Sequence, residues 1–130
     1  MRNISFSLTL DSFADGTKNV TRRIWKFPWV KPGDLMMAVE KAQGLGKGGK
    51  IKRLGVIRIV SCQPERLDAI QFSPIRHDIP PEGLSVVYRN EMEREGFPKF
   101  TPLDFVMFFC KANKCKSDQI VYRISFVHES

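Results

Sequence analysis

The chain has 130 residues, 42% of them hydrophobic and ten of them phenylalanine, which is enough for one domain with a real core and argues against disorder. Its net charge of +7 is uneven: Gly16 to Pro64 holds eleven basic and two acidic residues, the rest of the chain ten and twelve. A localised positive field attracts polyanions, so RNA, a nucleotide or a nucleoside is the expected partner, and the lack of a long apolar run excludes a membrane span.

The first residues, MRNISFSLTL, alternate apolar with polar side chains. Ile4, Phe6 and Leu8 therefore predict a short half-buried strand rather than a signal peptide. Leu10, Phe13 and Ala14 fall at helical spacing, and Asp15-Gly16 stops them. Asn19 to Trp25 reads as a second strand. Phe27-Pro28-Trp29 and Lys31-Pro32-Gly33-Asp34 are turn chemistry, and Leu35 to Val39 is an apolar third strand. Ala42 to Lys50 is a glycine-rich loop. Ile51 to Cys62 is a long strand in which Gly55 predicts a bulge or bend.

Pro80-Pro81 precedes an expected helix over Glu82 to Arg94, with Leu84, Val87, Tyr88 and Met92 on one stripe. Thr101-Pro102 opens another helix, with Thr101 as its cap, Asp104 supporting it, and Leu103, Val106, Met107 and Cys110 on its apolar face. Phe105, Phe108 and Phe109 are assigned to the core. Ile120, Tyr122, Ile124 and Phe126 alternate, which predicts a last strand with one face inward. These elements predict a single α+β domain spanning residues 1–130: a small barrel or curled sheet closed by the C-terminal strand, with helices packed on it.

Three cysteines, Cys62, Cys110 and Cys115, make a poor disulfide framework and fit a reducing, cytoplasmic compartment. His77 and His128 are distant from them in sequence, so no metal and no cofactor is expected. A monomer is expected.

Gly44 to Lys50 satisfies G-x-G-x-x-G and the first seven places of a P-loop. Both motifs need a helix directly after the loop, with free N–H groups aimed at phosphate. Ile51 to Ile57 reads as strand, and Ile51 stands where a P-loop has Ser or Thr. The loop is therefore a basic hairpin, whose Lys47 and Lys50, with Lys52 and Arg53 after them, are candidates for holding a nucleic-acid backbone.

The informative segment is Gly16-Thr17-Lys18-Asn19-Val20-Thr21-Arg22-Arg23-Ile24-Trp25. As a strand, it turns Val20 and Ile24 to the core, with Arg22 between them. Asn19, Thr21, Arg23 and Trp25 then share the opposite face. An amide, a hydroxyl, a guanidinium and an indole in one row can hydrogen-bond to a base, stack on it and grip a phosphate. Lys18 has the wrong parity for that row. It joins only if Gly16 turns the chain.

Gly16, Lys18 and Arg23 match the G-x-K-x-x-x-x-R signature of ASCH domains. The whole run is similar to the GtKtvTRR form of bacterial and phage members. The resemblance extends through Lys31-Pro32-Gly33-Asp34-Leu35, Glu65-Arg66-Leu67, Glu95-Gly96-Phe97 and Asp104 to Phe109. It implies a PUA-like β-barrel of about five to six strands with two or three helices, and a cleft beside the signature that binds RNA or a nucleotide. Gly16, Lys18, Arg22, Arg23 and Trp25 are the binding candidates. Some relatives are amidohydrolases that act on N4-acetylcytidine with a Lys, a Thr and a Glu. This would make Lys18, Thr21 and Glu95 catalytic, with Glu91 and Glu93 as rival glutamates. Metal-independent RNA cleavage is a further activity of the family.

Overall fold

The computed structural model describes residues 1–6, 9, 13, 14, 16, 18–40, 52–72, 75–78 and 87–129, with 75–78 and 87–90 described by their backbone alone. The glycine-rich loop, with Lys47 and Lys50, lies outside the described residues, as do Thr17 and Leu8.

Five strands form a curled half-barrel: β1 (Arg2–Ser5), β2 (Val20–Arg23), β3 (Leu35–Val39), β4 (Arg53–Arg66) and, last in the chain, β7 (Ile120–His128). Their order is β1-β3-β4-β7-β2. β1 runs parallel to β3, and every other pairing is antiparallel. β1 and β2 are thus the two outer strands. β3 spans the residues its apolar run predicts. β4 is longer than expected because its far half pairs with β7 as far as Arg66 and Ile120. The register of β3 on β4 slips between Ala38 and Val39, opposite Gly55, whose φ of +149° favours glycine.

A two-stranded sheet pairs β5 (Ile75–Asp78) with β6 (Val87–Asn90). This corrects the expected helix over Glu82 to Arg94. Val87-Tyr88-Arg89-Asn90 pairs antiparallel with Ile75–Asp78, and among the described residues of that span the helix is α1 (Glu91–Glu95). β-branched and aromatic residues follow their pairing partner rather than a helical stripe. A 3-10 turn (Leu67–Gln71) follows β4, and α2 (Pro102–Asn113) follows α1. Thr101 caps α2 in a capping box: its side chain accepts from the Asp104 N–H at 3.1 Å, and Asp104 accepts from the Thr101 N–H at 3.0 Å. No described helix is long and apolar enough to cross a membrane.

Two apolar clusters lie against the sheet. One gathers Ile4, Phe6, Phe13, Met36, Ile57, Ile59, Ile124 and Phe126 inside the curl, where Phe6 stacks on Phe13 with centroids 5.2 Å apart. The other gathers Leu67, Ile70, Met92, Phe105, Val106, Phe109 and Val121. β7 serves both clusters, which is why strict alternation misreads it. Val121, Arg123 and Ser125 are buried along with Ile124 and Phe126, while Ile120 at the strand end is exposed. The same logic corrects α2: Phe105, Val106 and Phe109 face the core, whereas Leu103 and Met107 are exposed. Ile24, expected inside, is 40% exposed because β2 ends at Arg23.

Candidate functional site

The half-barrel is left open between its outer strands, and the site lies in that seam. Gly16 sits at φ +81°, and its N–H donates to the Phe13 carbonyl at 3.1 Å, which turns the chain. Lys18 follows the turn and is anchored by its backbone: His128 Nε2 donates to the Lys18 carbonyl at 2.7 Å. Its Nζ donates to the Val20 carbonyl at 2.9 Å and to the Glu95 carbonyl, and it lies 3.8 Å from Glu95 Oε1. Burial pulls the Lys18 pKa down, and Arg23 and Arg22 add to that against the opposing Glu95 charge, leaving it at about 8.

From β2, Thr21 and Arg23 share a face, as the strand period requires. Arg23 Nε donates to Thr21 Oγ1 at 3.1 Å, and its Nη2 reaches across the seam to the Ser5 carbonyl of β1 at 2.6 Å. Arg23 therefore ties one outer strand to the other. Burial lowers its pKa, against the Glu95 charge, but a guanidinium stays protonated.

Arg22 points the other way and is fully enclosed. Its Nη1 donates to Glu95 Oε2 at 2.8 Å, and its Nη2 to Glu91 Oε2 at 2.7 Å and Glu65 Oε2 at 3.3 Å. Its backbone N–H donates to Glu95 Oε1 at 3.2 Å. Burial opposes the charge on Arg22, but the three carboxylates outweigh it and raise its pKa. Glu91 also accepts from Arg123, at 2.7 and 3.0 Å, and from Arg94 at 3.4 Å. Burial would raise the Glu91 pKa; the Arg123 and Arg22 contacts overcome it and hold the carboxyl at about 2. This buried cluster clamps α1 onto β2 and β7 and fixes where Glu95 stands. Gly96 closes α1 at φ +99°, where a Cβ would meet Thr9 Cγ2 at 2.7 Å.

The result is a cleft of about 370 Å³. Ser5, Thr9, Lys18, Thr21, Arg22, Arg23 and Glu95 line its polar side. Phe6, Trp25, Phe97, Phe105, Phe108 and Phe109 supply its aromatic surface, with Ile24, Ala112 and Asn113 completing the lining. Trp25 is backed by Trp29 at 4.8 Å between centroids, and the Arg2 guanidinium lies 4.5 Å from the Trp29 ring. A flat ring with a polar edge and an anionic group matches such a lining, in a volume typical of small-ligand sites.

Of the residues singled out by sequence, Lys18, Thr21, Arg22, Arg23, Trp25 and Glu95 meet in this cleft. Gly16 supplies the turn without lining it. Arg22 presents its head group to carboxylates, not to open space. Glu91 is sealed beneath the cleft, and Glu93 is exposed. Lys52 and Arg53 are exposed and outside the lining; Lys52 lies 3.8 Å from Glu40. Phe108 and Phe109, assigned only to the core, also line the cleft, as do Thr9, Ser5 and Phe97, which sequence reasoning missed. Among the described residues, no group of three or more His, Cys, Asp or Glu could hold a metal ion. All three cysteines are free.

No family model and no curated protein matches the chain. Among solved structures, a protein of Enterococcus faecalis V583 in family DUF984 is similar, with a TM-score of 0.54 and 13% identity over 98% of this chain and 78% of that one. The two share a fold.

Proposed function

We propose that the seam cleft binds a nucleotide or a short single-stranded RNA segment, and that the chain is a PUA-like domain of the ASCH type. The observation that carries this reading is the convergence of Lys18, Thr21 and Arg23 with Trp25, Phe97 and Phe108 on one concave surface. Arg23 takes the phosphate, whose bidentate geometry suits a guanidinium. The base lies against the aromatic side, where stacking contributes about 1–3 kcal/mol. Thr21 and Glu95 meet the polar edge of the base. The positive first half of the chain speeds encounter with the anion.

Fluorescence anisotropy with a labelled single-stranded RNA and with nucleoside monophosphates tests this. Binding that weakens steeply with salt and is lost in Arg23→Ala supports it. No binding at low salt, or binding indifferent to Arg23→Ala, refutes it.

A second reading is amide hydrolysis on an N-acylated nucleoside such as N4-acetylcytidine. It is favoured by Lys18, with its pKa at about 8, lining the same cleft as Thr21 and Glu95. Thr21 Oγ attacks the amide carbon, Lys18 takes the hydroxyl proton, and Glu95 assists its passage to the leaving amine. Water then releases the acyl group from Thr21. Chromatography of N4-acetylcytidine incubated with the protein decides it: release of cytidine that vanishes in Thr21→Val supports the reading, and no release removes it.

A further inference from the structure

We propose that Lys18 is a carbonyl-capture site: a small aldehyde or ketone carrying an anionic group condenses with its side-chain amine to form an imine in the cleft. Capture uses the cleft's own side chains and does not depend on nucleotide being the natural ligand.

The hydrogen bonds of Nζ carry the argument. An ammonium has three N–H groups to place, and a neutral amine has two. Among the described residues, two backbone carbonyls, Val20 and Glu95, accept from Nζ, and Glu95 Oε1 stands farther off at 3.8 Å. The neutral amine thus keeps both of its short partners, and its lone pair takes the remaining tetrahedral position. The charged groups facing Lys18 are Arg22 and Arg23 from β2 and Glu95 from α1, while His128 of β7 binds its backbone. With enclosure, the two guanidinium groups favour the neutral form, which holds the pKa at about 8. About a tenth of the amine is then neutral at pH 7, against a few parts in ten thousand for an ordinary lysine.

The surroundings fit the carbonyl partner as well. The Arg23 guanidinium lines the same cleft and seats an anionic substituent, and the Phe97 and Phe108 rings accept a flat body. In the reaction, the Nζ lone pair forms the N–C bond, and the carbonyl oxygen gains a proton to give the carbinolamine. The C–O bond then breaks, water leaves, and the C=N bond forms. Both hydrogens of the amine end on the departing water, so no oxidant or reductant is needed. Protonated, the imine retains one N–H for a backbone carbonyl and sets its charge beside the Glu95 carboxylate.

The test uses the unmodified protein with pyridoxal 5′-phosphate, reduction by borohydride, and peptide mapping by mass spectrometry. The other ten lysines of the chain are the internal reference, so no variant has to fold. At pH 7, Lys18 is expected to carry at least about tenfold more label than the mean of the others, a conservative figure set against the difference in neutral amine. Pyridoxal lacking the phosphate is expected to label it several-fold less. Labelling of Lys18 no greater than that of the other lysines overturns the site. Equal labelling by the two probes overturns the anion seat.

Discussion

Replacing Gly96 with alanine probes how tightly α1 is set against the floor of the cleft. The added Cβ would lie 2.7 Å from Thr9 Cγ2, 2.9 Å from Thr9 Cβ and 3.5 Å from Lys18 Cδ. Thr9 cannot easily retreat, since its N–H donates to Phe6 and its carbonyl accepts from the Phe13 N–H. The residue also sits at φ +99°, which costs about 1–2 kcal/mol for a residue with a Cβ. Overpacking adds about 1–3 kcal/mol. Gly96→Ala should therefore lose about 3 kcal/mol, equivalent to a fall in Tm of about 10 °C for a chain of this size. Thermal melts followed by circular dichroism measure it. Adding Thr9→Ala removes the Cγ2 clash but leaves the 2.9 Å approach to Cβ and the backbone strain, so the double variant should recover about 1 kcal/mol relative to additivity. A Tm within about 2 °C of the parent would show that α1 is not wedged against Thr9, and the placement of Glu95 would lose its support.

Glu91→Gln leaves Arg22 and Arg123 without their shared carboxylate and should cost about 3–5 kcal/mol in urea unfolding. A loss under about 1 kcal/mol contradicts the clamp. Because the Glu91 pKa is depressed in the folded chain, its contribution is full above pH 4.5 and fades as the pH falls towards about 2, so the parent should lose stability more steeply than Glu91→Gln over that window. Lys18 follows the same sign at higher pH: its folded pKa of about 8 lies below 10.5, so the unfolded chain holds the extra proton and the stability of the parent relative to Lys18→Met should rise as the pH climbs between those values. A flat difference from pH 7 to 10 would refute the depressed pKa. Thr101→Ala removes one half of the capping box and should lower stability by about 1 kcal/mol, measurable in the same titrations.

Local chemistry was legible where it is decided locally. Leu35 to Val39 is apolar on both faces and forms an interior strand with those bounds. The Thr101–Asp104 box needs only four consecutive residues, and the turn at Gly16 follows from one residue without a Cβ. What failed was set by distant partners. Val87–Asn90 has enough helix-compatible spacing to mislead, and only its pairing with Ile75–Asp78 makes it strand. Arg22 lies on the inward face that the strand period gave it, but as an ion-pair partner rather than a ligand contact, because the carboxylates that receive it lie 43, 69 and 73 residues away in the chain. One hint was present. Arg123 stands between apolar and aromatic neighbours in the last strand, and a lone buried charge there requires a counter-charge, which Glu91 provides. The aromatic surface of the cleft was half visible: Phe108 and Phe109 were placed in the core, and the helix that carries them forms core on one side and cleft on the other.

The cleft's capacity to hold an anionic ring is tested most directly by isothermal titration of a nucleoside monophosphate and of its phosphate-free nucleoside against parent and Arg23→Lys. Saturable 1:1 binding of the monophosphate, weaker binding of the nucleoside, and loss of that preference once the forked guanidinium is gone are expected. Equal affinity for both ligands in the parent, or no heat with either, contradicts it.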